Sequence, residues 1–132
     1  MSSGEAIIIN NSEPVITNSH FFRNGIAIKV DGFGNSPQIS NNIFEEDSFA
    51  PIQIALGTTP AFSNNTYTNN TYRAIAIVTK TYTDPSYQLS RRNVAGIQNI
   101  PYIIGGDMSL SASSTWTIDP GVVIKFLSLI HI

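Results

Sequence analysis

Three short stretches alternate between apolar and other positions: Ile26-Ala-Ile28-Lys-Val30, Ile52-Gln-Ile54-Ala-Leu56 and Ala74-Ile75-Ala-Ile77. A period of two, carried largely by β-branched side chains, predicts short strands with one buried face. Turn chemistry separates them in Arg23-Asn24-Gly25, Asp31-Gly32-Phe33-Gly34-Asn35 and Gly57-Thr58-Thr59. Residues 1–82 carry no helical period, so the expectation is an all-β chain.

A second pattern repeats between these strands. Prolines open three matching segments, Pro14-Val-Ile-Thr-Asn-Ser-His-Phe, Pro37-Gln-Ile-Ser-Asn-Asn-Ile-Phe and Pro60-Ala-Phe-Ser-Asn-Asn-Thr-Tyr, at a spacing of 23 residues (37 − 14 and 60 − 37). Ile16, Ile39 and Phe62 share one column; Phe21, Phe44 and Tyr67 share another. A unit this short cannot bury its own apolar face, whereas stacked units form a β-solenoid whose coils lie about 4.8 Å apart. Both columns then become core stacks.

The same register explains why residues 62–72, FSNNTYTNNTY, hold so much asparagine. A sharp bend between strands needs left-handed backbone, which asparagine tolerates, and its amide both donates and accepts. Asn18, Asn41 and Asn64 are therefore expected to form an asparagine ladder at one bend, bonding to each other and to backbone groups the bend leaves unpaired. Asn-x-Ser/Thr matches such as Asn64-Asn65-Thr66 follow from this composition.

The pattern P-x-I-[ST]-N-[SN]-x-[FY], followed by the alternating patch, resembles right-handed parallel β-helix repeats of bacterial surface and secreted proteins. The resemblance covers residues 4–78. Pectate lyases and related polysaccharide-degrading enzymes share that fold. Pro101–Leu110 and Trp116–Phe126 look like the opening of a new run in such surface proteins, with Met108/Leu110, Trp116/Ile118 and Val122/Ile124/Phe126 facing inward. Asp119-Pro120-Gly121 suits a type II turn.

The expected organisation is β-helix repeats over 1–82, an irregular excursion or linker over 83–100, a second β-helix run over 101–126 and a non-native tail over 127–132. Residues 2–9 align with the middle of a coil. That alignment and the Leu127–Ile132 hexapeptide, which resembles translated adapter sequence, suggest a fragment of a larger chain whose remaining coils are its first partners.

Only 12% of the 132 residues are charged, about half the usual share, and the formal net charge is −2. No basic stripe marks a nucleic-acid surface. No apolar run reaches the roughly 20 residues of a membrane span. Zero cysteines exclude disulfides, thiolate metal sites and a cysteine nucleophile.

Chemistry has little material to work with. His131 falls in the tail, and His20 shares its column with Ile43 and Thr66. No Gly-x-Ser-x-Gly elbow occurs. The run Glu45-Glu46-Asp47 is the candidate cation site, since clustered carboxylates bind Ca²⁺. The equivalent positions of neighbouring coils, Phe22-Arg23-Asn24 and Thr68-Asn69-Asn70, add no carboxylate, which favours a solvated loop. No other cofactor is expected. Phe22, Phe33, Phe49, Tyr72, Tyr82 and Tyr87 are candidates for partly exposed rings that stack on sugars, with local packing as the plainer reading.

The resemblance implies a non-enzymatic structural, adhesive or glycan-binding segment of a secreted or cell-surface bacterial protein. The alternative is a non-catalytic slice of a β-helix polysaccharide lyase or hydrolase. An ice-binding solenoid would need paired Thr-x-Thr ranks, which do not follow the Thr17/Ser40/Ser63 column.

Overall fold

The computed structural model describes residues 4–127, in which every regular element is a strand. Six form one parallel sheet, in the order β1 (Glu5–Asn10), β4 (Ile26–Asp31), β7 (Ile52–Ile54), β10 (Ile75–Ile77), β13 (Tyr102–Ile104) and β16 (Ile124–Phe126). Each returns to this sheet after one circuit of the chain. The remaining strands sit on the other walls: β2 (Val15–Thr17) with β5 (Gln38–Ser40) and β8 (Ala61–Ser63), and β3 (His20–Phe22) with β6 (Ile43–Glu45) and β9 (Thr66–Thr68). The later circuits pair β11 (Thr81–Tyr82) with β14 (Ser109–Leu110), and β12 (Ser86–Leu89) with β15 (Thr115–Ile118). The chain is a parallel β-solenoid.

Register follows the repeat where turns are uniform and departs from it where they are not. Ile16, Ile39 and Phe62 pair in sequence, as do Phe21, Phe44 and Tyr67. In the six-stranded sheet, Ile7, Ile28, Ile52, Ile75, Tyr102 and Ile124 occupy successive rungs. Their steps are 21 (28 − 7), 24 (52 − 28), 23 (75 − 52), 27 (102 − 75) and 22 (124 − 102) residues. Turns absorb the differences because only the in-register strands must keep the strand spacing.

The core runs along the solenoid axis. Ile28, Ile39, Phe44, Ile52, Ile75 and Tyr102 are completely buried. Phe21 stacks on Phe44 with centroids 5.2 Å apart, and Tyr67 meets Phe44 edge-on at 5.8 Å. A smaller apolar cluster covers the outer side of the main sheet, where the outward column runs Lys29, Gln53, Ala76, Ile103, Lys125. Phe49 and Tyr72, in contact at 5.4 Å, pack over Ala76 and Ile103. Burial of these aromatic and aliphatic surfaces is the main driving force for folding.

Two sequence expectations need correction. Residues 83–100 are not a linker, since β12 lies in this range and pairs with β15 over four residues. Nor do residues 101–126 begin a separate run: β13 pairs with β10 directly, so one solenoid continues through. The period is lost there because the coil takes extra residues into a lateral excursion while its strands stay in register. Met108, Leu110, Trp116, Val122 and Ile124 pack on the core, but Ile118 and Phe126 are exposed (44% and 69%). Residues 128–132 of the expected tail, with His131, lie outside the described residues, while Leu127 bonds through its N–H to the Ile104 carbonyl.

Candidate functional site

Two bends recur in each of the first coils. Asn18, Asn41 and Asn64 all have left-handed φ (54°, 56°, 54°), as do Arg23, Glu46 and Asn69 (58°, 54°, 52°). The first trio is exposed, and the inter-coil side-chain bonds run through the next column instead. Asn42 Oδ1 accepts from Ser19 N–H, Asn65 Oδ1 accepts from Asn42 N–H, and the Asn42 and Asn65 amides donate to the carbonyls of Ile16 and Ile39. These bonds fall one residue beyond the expected Asn18, Asn41 and Asn64. A left-handed residue turns its side chain outward, and its successor then points in.

A second set of bonds follows the other bend. Asp47 Oδ1 accepts from Asn24 N–H, Asn70 Oδ1 accepts from Asp47 N–H, and the Asn70 amide donates to the Phe44 carbonyl. This arrangement separates the proposed Ca²⁺ ligands. Asp47 is buried, Glu45 bonds His20 Nε2 at 2.8 Å, and Glu46 meets Arg23 at 3.3 Å. The three carboxylates do not converge, and no three acidic or histidine side chains come together as a metal set among the described residues. The backbone alternates their directions along and beyond the strand, so adjacency in sequence becomes separation in space.

The aromatic candidates serve mainly as packing. Tyr82 and Tyr87 are buried and meet edge-on at 5.2 Å, against the expectation of partial exposure. Phe33, though exposed, contacts Tyr87 and lies where a Gly57 side chain would be, within 2.5 Å of the would-be Cβ. Phe22 carries the Arg23 guanidinium 4.8 Å above its ring.

The site that the sequence pattern did not delineate is the excursion between β12 and β13. Arg92 anchors it: Nε donates to Tyr102 Oη at 3.0 Å, while Nη1 and Nη2 donate to the carbonyls of Pro60 and Thr58. Tyr102 in turn donates to the Ser90 carbonyl at 2.6 Å. Val94 and Ile97 exchange both backbone bonds around Ala95-Gly96, a two-residue turn with positive φ at each position (55° and 75°). That is the geometry of a type I′ hairpin turn. Asn99 closes the excursion, donating its N–H to Asn93 Oδ1 and its side-chain amide to the Gly121 carbonyl of the next coil.

Gly121 belongs to the Asp119-Pro120-Gly121 turn, where φ is 85° and Val122 N–H bonds back to Asp119. Arg91 lies against Gly121, 3.3 Å from where a Cβ would be. Asp119 accepts from Gln88 Nε2 at 2.8 Å. That bond, with help from Ser90 and the nearby Arg91 charge, holds its carboxyl below the usual range. Between excursion and turn lies an open groove of about 600 Å³ lined by Ser90, Arg91, Asn93, Gln98, Asn99 and Asp119. It presents one guanidinium, one carboxylate, two asparagines, one glutamine and one serine, a set suited to polyhydroxylated ligands. Arg91-Arg92-Asn93 was the one sequence signal for it: the sole adjacent basic pair, inside the stretch that breaks the period.

Fold and groove together define a parallel β-solenoid with a polar lateral recess. The sequence profile of the family described as a right handed beta helix region matches residues 1–94, so the chain belongs to the right-handed β-helix family. No curated protein and no solved structure matches the chain.

Proposed function

We propose that this chain is a non-enzymatic glycan-binding segment of a secreted or cell-surface bacterial protein, and that the groove beside the excursion is its contact site. The observation that carries this reading is the groove's lining: six polar side chains on a fixed scaffold, with Asp119 as the single carboxylate. Glycosidase chemistry ordinarily needs two carboxyl groups flanking the bond, one of them kept protonated. Asp119 is instead held toward its ionised form by Gln88. An ionised carboxylate, an arginine and side-chain amides match the donor and acceptor array of a sugar's hydroxyl groups, with orientation fixed by the scaffold.

The test is a glycan array probed with the parent chain and with Arg91→Ala and Gln98→Ala, both thermally melted to check folding. Binding to a defined glycan set that weakens at least tenfold in folded variants supports the reading. Absence of binding, equal binding by all three proteins, or cleavage of a bound polysaccharide by the parent contradicts it.

A further inference from the structure

Asp47 is the one acid among the inward rungs of its bend, where the preceding and following coils carry Asn24 and Asn70. It is 1% exposed. Its Oδ1 does what the Oδ1 of Asn42, Asn65 and Asn70 does, accepting a backbone N–H of the coil before, here at 2.8 Å. Its Oδ2 is buried without a hydrogen-bond partner. In Asn70 of the same bend, and in Asn42 and Asn65 of the neighbouring one, the second atom is Nδ2, which donates to a carbonyl 26 residues earlier: Asn42 to Ile16, Asn65 to Ile39, Asn70 to Phe44. The same offset from Asp47 leads to Phe21 (47 − 26). An ionised Asp47 therefore brings a second acceptor to a place where Asn42, Asn65 and Asn70 each bring a donor.

We propose that Asp47 is a proton-sensitive rung of the solenoid: protonated, it donates its Oδ2–H to the Phe21 carbonyl and completes the bend; ionised, it opposes that carbonyl and loosens it. Burial raises its pKa, against the lowering effects of the Asn24 N–H and side chain and of His20. The charged and titratable groups around it are His20 and Arg23 on the coil before, Glu45 and Glu46 on its own coil, and Tyr67 on the coil after. His20 is bonded to Glu45 and Arg23 to Glu46, so each already has a carboxylate partner other than Asp47. Because the folded value lies above the unfolded one, this rung's contribution is fully present below the unfolded pKa of about 3.9 and is lost as pH rises through the folded value.

The test pairs a thermal melt across pH with a carboxyl titration. Asp47→Asn, which restores the donor, is expected to raise Tm over the parent by about 3–6 °C near pH 8, with the advantage shrinking steadily toward pH 3. In the parent, the Asp47 ¹³Cγ resonance is expected to titrate above the ordinary aspartate range, and this readout stands even if the variant does not fold. A midpoint at or below the ordinary range, or a variant advantage that does not vary with pH, overturns the proposal.

Discussion

Asn65 Oδ1 accepts two hydrogen bonds from Asn42, one from the backbone N–H at 3.1 Å and one from Nδ2 at 3.2 Å. Both residues are buried, and each amide also reaches the carbonyl of a residue in the coil before. The pair ties three coils together at a bend where strand pairing is interrupted. Exposed Asn41, its neighbour in sequence, contributes left-handed backbone instead.

These roles separate by mutation. Asn42→Leu orphans the Ser19 N–H and the Ile16 carbonyl contact, and is expected to destabilise by roughly 2–4 kcal/mol. Asn41→Leu places an unsuited side chain in the left-handed region, at a cost of about 1–2 kcal/mol, and Asn41→Gly costs little. Urea melts of the three variants that rank Asn41→Leu as the most damaging would overturn this assignment.

Ala95 sits at the first position of a type I′ turn with φ of 55°, where alanine is poorly suited. Ala95→Asn or Ala95→Gly is expected to raise stability by about 1 kcal/mol. Ala95 also packs against the core, so denaturation midpoints that fall in both variants would show that this packing outweighs the turn strain.

Arg92 links the excursion to the solenoid through three donors that a lysine cannot reproduce in one plane. Arg92→Lys is expected to cost about 2 kcal/mol and to increase hydrogen exchange at the Ile97 and Asn99 amides. Unchanged exchange there, alongside normal stability, would mean the excursion holds itself.

Alkaline pH should unfold the chain through its buried phenols. Burial pushes Tyr82 up to about 12, and it likewise raises Tyr67 and Tyr102. These hydroxyls bond to the carbonyls of Val78, Ala74 and Ser90 respectively. A folded pKa above the unfolded value of about 10 gives stability that is full below pH 10 and is lost as pH rises. Tyrosinate absorbance and circular dichroism, followed together from pH 9 upward, should show late-ionising phenols appearing with unfolding. Complete ionisation in a chain that keeps its dichroism would contradict this.

The sequence announced its architecture because a solenoid writes its register into a period. The Ile16/Ile39/Phe62 and Phe21/Phe44/Tyr67 columns are in-register partners because uniform turns keep successive coils aligned. The column of inward amides lies one position beyond the expected one, since Asn41 and Asn42 are identical in sequence and only backbone handedness distinguishes them. Residues 83–100 looked like a linker because an insertion hides β12 from any fixed spacing, although its pairing with β15 is intact. The groove was less legible still. Asn99 and Gly121 are joined by a bond across one coil, and neither carries a motif.

The groove beside the excursion carries the proposed function. The most direct measurement is an amide-resolved NMR titration of the parent chain with the oligosaccharide that gives the strongest array signal. The expected result is saturable shifts at Arg91, Asn93, Gln98, Asn99 and Asp119, with the β3, β6 and β9 amides unmoved. Shifts confined to that other face, or none at millimolar sugar, would contradict the assignment of the groove as the binding site.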